Sequence, residues 1–149
     1  MNDRNRSNAS GRGRGPPADR TPFDEVTAED ALALRESLDP EERDRVEGSV
    51  ADLLDVLGRT HAMAVLSEFA LTGDALRFSD LESSLDIAPN TLSTRLSELT
   101  EAGLLDREAY DEVPPRVEYE PTDAARGLFP VFGFLHVWAA EHELASDRP

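Results

Sequence analysis

The sequence predicts a mainly α-helical fold with one small β-hairpin. Apolar residues recur at helical spacing along most of the 149 residues, and only the stretch after Gly103 changes to the alternating pattern of strands. The chain contains no cysteine. A chain of this length nevertheless buries roughly 70% of its unfolded surface, so a core can form without a disulfide or a metal. We expect a single domain, residues 49–145, preceded by a tail.

The first 48 residues divide into two segments of different composition. Residues 1–22 are rich in Asn, Ser, Gly, Arg and Pro and lack periodic apolar positions, which predicts a disordered arm of net charge +3. Residues 23–48 form an acidic extension with helical spacing, in which Thr27 is expected to cap a short helix ending near Leu38.

Four further helix signals lie between residues 39 and 103. Asp39 supplies a cap and Pro40 the first position of a helix that should run to Leu57. Thr60 is expected to cap the next helix, and Ser79 a short one after it. Pro89 then opens a helix with a leucine stripe, formed by Leu92, Leu96 and Leu99, and closed near Gly103. Only residues 86–88 separate the last two helices, which predicts a helix-turn-helix.

A hairpin comes directly after this motif. Residues 104–110 and 116–120 read as two short strands, and residues 111–115, with two prolines, make a rigid connection between them. A helix-turn-helix followed by a hairpin is the winged-helix arrangement, with the wing at about residues 110–117.

Thr122 is expected to cap a long C-terminal helix, which Pro130 should kink. Its apolar residues surround almost the whole circumference, more than one small domain can cover, so a second copy of the chain is the simplest partner. The expected dimerisation residues are Leu128, Phe129, Phe132, Leu135 and Trp138. The aromatic side chains of this helix could alternatively belong to the core or line a small-molecule pocket.

The helix from Pro89 has a surface suited to duplex DNA. It is expected to lie in the major groove, with the wing on the backbone or in the minor groove. Apart from the leucines, its first two turns carry only small polar residues or arginine, and the first outward carboxylate is Glu98. The expected DNA contacts are Arg59, Arg77, Ser79, Pro89, Asn90, Thr91, Ser93, Thr94, Arg95 and Arg116. Arg59 and Arg77 could equally pair with neighbouring carboxylates, and the N-terminal arm could touch DNA or be a solvated leader without a role.

Taken at face value, the net charge of −16 argues against a nucleic-acid partner, since affinity for a duplex comes largely from cations. All 15 basic residues are arginine. A chain without lysine and rich in carboxylates is expected in a salt-filled cytoplasm, where a Debye length of about 3 Å removes long-range repulsion from DNA. An ordinary acidic interaction protein is the other interpretation, in which the winged helix binds a basic protein partner and no DNA.

Several other classes of function lack support in the sequence. The absence of cysteine excludes thiol chemistry and a thiol switch, and no nucleophile–base pair or phosphate-binding glycine loop predicts an enzyme. His136 and His142 lean to opposite faces of one predicted helix and cannot share a metal as an i, i+4 pair would. No cofactor is expected. No apolar run is long enough to cross a membrane, and no signal peptide is visible, so we expect a cytoplasmic protein.

From Leu57 to about His142 the chain resembles the HxlR-type winged-helix transcriptional regulators. The segment PPRVEYEPT, residues 114–122, resembles their wing and second strand. RFSDLESSLDIAPNTLSTRLSELTEAGLLDR, residues 77–107, resembles their two DNA-binding helices, and GLFPVFGFLHVWAAEH, residues 127–142, their dimerisation helix.

The resemblance implies a homodimeric, sequence-specific DNA-binding regulator. It assigns the recognition helix to residues 89–102 and the wing to residues 113–116. Two positions depart from the family pattern: Thr60 stands where an aromatic residue is usual, and Ala88 where a serine often caps the recognition helix. The operator, the direction of regulation and any effector are not implied.

Overall fold

The computed structural model describes residues 26–144. Six helices and three short strands follow one another in these residues, in the order α1 Ala28–Ser37, α2 Pro40–Leu57, α3 Ala62–Thr72, β1 Leu76–Arg77, α4 Phe78–Ser84, α5 Pro89–Glu101, β2 Leu105–Tyr110, β3 Arg116–Pro121 and α6 Asp123–Glu141. This is the mainly helical, winged helix-turn-helix architecture that the sequence predicts.

Helices α1 and α2 are acidic, and both begin with reciprocal caps. The Thr27 hydroxyl accepts from the Asp30 amide while the Asp30 carboxylate accepts from the Thr27 amide, and Asp39 and Glu42 repeat this arrangement at α2. No residue of α1 is buried. The predicted domain boundary at residue 48 falls inside α2, so the acidic extension and the winged helix share one continuous helix.

Two predicted caps are wrong. Thr60 does not cap α3, because the chain turns at His61, which has a φ of 70°, and the helix begins at Ala62 without a side-chain cap. Ser79 lies inside α4, which begins one residue earlier. There the Asp80 carboxylate accepts a hydrogen bond from the Arg77 amide at 2.9 Å.

The core lies between α3, α5, the sheet and the first half of α6. Its largest fully buried side chains are those of Val65, Leu66, Phe69, Leu81, Leu92, Leu96, Leu99 and Leu105. The leucine stripe of α5 is therefore inward, as predicted, and the opposite face of α5 is presented to solvent. Gly103, with a φ of 75°, occupies the left-handed position after the helix, where an L side chain would be strained.

The sheet contains one strand more than the predicted hairpin. Its order is β1-β3-β2, all antiparallel, with Arg77 opposite Glu118 on one side of β3 and Tyr110 opposite Arg116 on the other. Because β1 has only two residues, it carries no alternating pattern that could have predicted it. Its position places Arg77 beside the wing.

The C-terminal helix begins as predicted. The Thr122 hydroxyl accepts from the Ala125 amide and donates to the Gly103 carbonyl at 2.7 Å, which ties α6 to the end of the recognition helix. Pro130 lies within α6, which continues across it, and the predicted kink stays a prediction. Within residues 26–144, no helix combines the length and the hydropathy needed to span a bilayer.

Candidate nucleic-acid interface

The solvent-exposed side of α5 is polar and free of carboxylates through its first two turns. Asn90, Ser93, Thr94 and Ser97 are exposed and Thr91 is half-buried. The first turn contains no acidic residue, and Ala88 provides no side-chain cap, so the first amides of the helix lack a side-chain acceptor. This end of α5 can therefore receive an anion.

Arg95 is not on this outward surface, and the prediction that it faces outward is wrong. Its side chain is 17% exposed. The Nε donates to the Thr60 carbonyl at 2.7 Å, and Nη1 donates to Glu98. A charged hydrogen bond to a backbone carbonyl holds the guanidinium against the turn between α2 and α3. Arg95 therefore fixes the recognition helix to the preceding part of the domain.

Glu98 completes this connection. Its Oε1 lies 3.0 Å from Nη1 of Arg59, and its other oxygen accepts from Arg95. The hydrogen bond from Arg95, aided by the Arg59 guanidinium, outweighs partial burial and holds the pKa of Glu98 below its ordinary value. We name these three residues, Arg59, Arg95 and Glu98, the helix cluster.

A second group of charges lies at the wing. The Arg116 guanidinium lies over the Tyr110 ring at 4.0 Å and within 3.3 Å of carboxylate oxygens of Glu112 and Glu118. Nε of Arg77 lies 3.7 Å from the same Glu118 oxygen. We name Arg77, Glu112, Arg116 and Glu118 the wing cluster. Ser79 and the prolines at 114 and 115 border the groove between the wing and α4.

Tyr110 supports the wing cluster from β2. A hydrogen bond to Glu108, together with partial burial, raises the pKa of the Tyr110 hydroxyl. The phenol ring lies beneath the Arg116 guanidinium.

The two clusters together carry a formal net charge of +1, whereas the chain as a whole is strongly acidic. They combine four arginines with three glutamates, in a chain of net charge −16. Arg59 and Arg77 each form an ion pair with a glutamate, and each is about half exposed. Both predicted roles, pairing with a carboxylate and contact with DNA, are therefore compatible with their positions.

Sequence reasoning did not identify Glu98, Tyr110 and Glu118 as functional residues. The i, i+3 spacing of Arg95 and Glu98 is a usable signal. The position of Glu118 between two arginines depends on the pairing of β1 with β3, which no local pattern reveals.

The far half of α6 presents a separate, apolar surface. Leu135 and Trp138 are exposed as predicted, and Phe134 and Val137 add to the surface. Leu128 and Phe129 are partly buried against the core. Phe132 is only 4% exposed, so the prediction that it lies on the dimerisation surface is wrong, because it fills the core of its own chain.

No group of three or more potential metal ligands occurs among residues 26–144. Nδ1 of His136 lies 2.6 Å from the Phe132 carbonyl, and the ring of His142 stacks on Trp138 at 5.0 Å between centroids. Both histidines are therefore engaged within α6 and its end.

Comparison with known proteins gives consistent matches. The family model described as HxlR-like helix-turn-helix matches residues 56–147. The uncharacterized HTH-type transcriptional regulator Rv3095 of Mycobacterium tuberculosis is 40% identical over 106 residues, which are 70% of this chain and 66% of that protein. The chain thus spans just under two thirds of that relative. The uncharacterized HTH-type transcriptional regulator YvaP of Bacillus subtilis is 34% identical over 89 residues, 59% of this chain and 81% of YvaP.

Solved structures agree with the fold. The crystal structure of ytcD, assigned as an HTH-type transcriptional regulator, has a TM-score of 0.57 at 33% identity, covering 62% of this chain and 94% of ytcD. The redox regulator HypR in its reduced form has a TM-score of 0.56 at 29% identity, covering 62% of this chain and 90% of HypR.

Proposed function

Because the chain belongs to the HxlR-like helix-turn-helix family, whose curated relatives are named as transcriptional regulators, we propose that it binds double-stranded DNA sequence-specifically and regulates transcription. The observation that supports this most directly is the absence of carboxylates from the outer side of the first two turns of α5. A surface without negative charge in so acidic a chain is one that the DNA phosphates can approach without repulsion.

The exposed residues of α5 are suited to direct contact with base edges and phosphates. Asn90 can read adenine, and the hydroxyls of Thr91, Ser93 and Thr94 can bind bases or phosphates. The first turn, opened by Pro89, offers amides to a phosphate.

We expect the contacts with the DNA backbone to come from the two clusters beside α5. Arg77, Ser79 and Arg116 border the groove next to the wing and would bind phosphates there, and Arg59 would do so before α3. We assign Arg95 a positioning role, because its Nε is bonded to the Thr60 carbonyl.

The active species in this proposal is a homodimer formed through α6. Val131, Phe134, Leu135, Val137 and Trp138 leave a contiguous apolar face uncovered on one chain. A soluble protein rarely leaves such a face open, and a two-fold dimer would cover it with the same face of a second copy. Two recognition helices would then meet two half-sites about one helical turn apart.

We further propose that the protein works in the cytoplasm at high salt. The chain uses only arginine as its cation and has a net charge of −16. A carboxylate surface keeps a protein soluble in molar salt, where repulsion from DNA is screened. HypR is named a redox regulator, but this sequence has no cysteine, so regulation through a thiol is not proposed.

A protein-interaction module without DNA binding is the second candidate, and one observation favours it: each arginine of the two clusters has a glutamate partner. In vitro selection of duplex DNA with the full chain, followed by footprinting and genome-wide mapping of bound DNA, separates the two. If the chain is a DNA-binding regulator, selection should enrich a two-fold symmetric duplex sequence, and the protein should protect that sequence in footprinting. Failure to enrich any sequence at either low or molar KCl would support the interaction module.

A further inference from the structure

Glu118 lies at the centre of the wing cluster, where it faces two arginines and one carboxylate. It lies on the middle strand, opposite Arg77 on β1 and opposite Glu108 on β2. Two carboxylates directly opposite each other destabilise a strand pair. A glutamine at this position would fill the same space without that repulsion, so the negative charge of Glu118 is favourable only toward Arg77 and Arg116.

The contacts of Glu118 with arginine are ionic but poorly aligned. A single oxygen, Oε1, lies 3.7 Å from Nε of Arg77 and 3.3 Å from Nε of Arg116. Nε of Arg116 is shielded from solvent and has no hydrogen-bond acceptor among the described residues. The Glu118 carboxylate is thus shared between two arginines, and with Glu112 it balances their charge, but it leaves their hydrogen-bonding capacity incompletely used.

We propose that Glu118 is a built-in competitor for DNA phosphate at the wing. This inference rests on the proposed DNA-binding function. In the free protein the Glu118 carboxylate is shared by Arg77 and Arg116. In the complex, backbone phosphates take its place on both guanidinium groups and make the aligned, charge-assisted hydrogen bonds that the carboxylate does not.

Displacement of Glu118 by phosphate should change how strongly DNA binding depends on salt. Binding normally gains from counterions released as arginines neutralise phosphates, with a slope of about −0.9 in log K against log salt per contact. A displaced Glu118 is left without its arginine partners near the DNA, and it must be screened by a cation from solution. Cation uptake then offsets part of the release, so binding becomes weaker at low salt and less sensitive to added salt.

Fluorescence anisotropy with a duplex selected in vitro tests this proposal. The full-length protein and Glu118→Gln are titrated over about 0.1 to 1 M KCl, the range where counterion effects are large. We expect Glu118→Gln to bind about threefold to tenfold more tightly at the lowest salt, since each exposed ion pair contributes a factor of up to about five. The slope of log K against log salt should become steeper by about one.

Two further variants make the result specific. Glu120→Gln removes a carboxylate from the same strand, but one that contacts Arg126 and no arginine of the wing. It should change affinity little. Relative to Arg116→Gln alone, the double variant Arg116→Gln with Glu118→Gln should show a smaller gain, because one of the two arginines that Glu118 contacts is already absent.

These measurements distinguish the role of Glu118 from DNA binding itself. Equal gains from Glu118→Gln and Glu120→Gln would reduce the effect to net charge and overturn the proposal, as would unchanged binding by Glu118→Gln. Failure of the unmodified protein to bind any duplex would instead reject the proposed function, and the inference with it. Circular dichroism melting of each variant excludes loss of fold as the cause.

Discussion

Glu98 and Glu118 each lie between two arginines, yet the two clusters are built differently. Glu98 uses one oxygen for Arg59 and the other for Arg95, and Arg95 is also hydrogen-bonded to a backbone carbonyl. Glu118 uses one oxygen for both of its arginines, at longer distances, and Arg77 is 51% exposed. The helix cluster is thus the more closely bonded of the two, and the looser contacts of Glu118 are the reason why we propose that a phosphate can displace it.

This difference shows that the number of ion pairs an arginine forms does not by itself tell whether it stabilises the fold or is available to bind a ligand. A partly buried, multiply bonded guanidinium contributes to the fold, while a half-exposed pair in high dielectric contributes little to stability. Three variants test the distinction, and the expected effects decrease from the first to the last.

The largest effect is expected from Arg95→Ala. It removes the hydrogen bond to the Thr60 carbonyl and leaves Glu98 with one partner, so we expect a loss of about 1 to 3 kcal/mol in the free energy of unfolding, measured by urea denaturation. DNA affinity should fall as well, because α5 loses its connection to the turn before α3. Arg77→Ala is the matched comparison and should weaken DNA binding while leaving stability nearly unchanged. Equal stabilities for the two variants would contradict the distinction between the clusters.

An intermediate effect is expected from Glu98→Gln, and it depends on pH. The pKa of Glu98 is lowered in the folded protein by Arg95 and Arg59. Its contribution to stability is therefore fully present above its unfolded pKa and is lost as the pH falls through the lowered, folded pKa. The unmodified protein should lose its advantage over Glu98→Gln below about pH 4.5, as measured by thermal melting across this range. A difference in melting temperature that is independent of pH would contradict the assignment.

The smallest effect is expected from Tyr110→Phe. The ring remains beneath Arg116, so stability and DNA binding should change little, but the hydrogen bond to Glu108 is lost. Spectroscopic pH titration of the two tyrosines should show that the variant lacks the group with the raised pKa. Glu108→Gln should move the same titration back toward the ordinary value. If Glu108→Gln leaves the titration where it was, Glu108 is not the cause.

The sequence was sufficient for those parts of the fold that depend on local signals. The caps of α1, α2 and α6, the leucine stripe of α5 and the hairpin follow from residues three or four apart or from alternation, and the structure confirms them. The winged-helix architecture follows from their order along the chain.

The candidate site was harder to predict, because it depends on contacts between distant residues. Arg95 was expected outward from its place in the helical pattern, but a carbonyl 35 residues earlier accepts from its side chain. Glu118 and Arg77 are brought together only by a strand of two residues. Phe132 was expected on the dimer surface because the sequence marks α6 as apolar on nearly every side, without showing which side the core takes.

The most direct test of the DNA-binding surface is the affinity of Ser93→Glu for the selected duplex. Ser93 is exposed on α5, so the substitution places a carboxylate where the major groove should lie without disturbing the core. Ser49→Glu, on the exposed side of α2, adds the same charge elsewhere and serves as the control. The account predicts a loss of at least about 100-fold for Ser93→Glu, because a carboxylate would face the groove without a partner, and little change for Ser49→Glu. Equal affinities of the two variants would contradict the assignment of α5 as the DNA-reading helix.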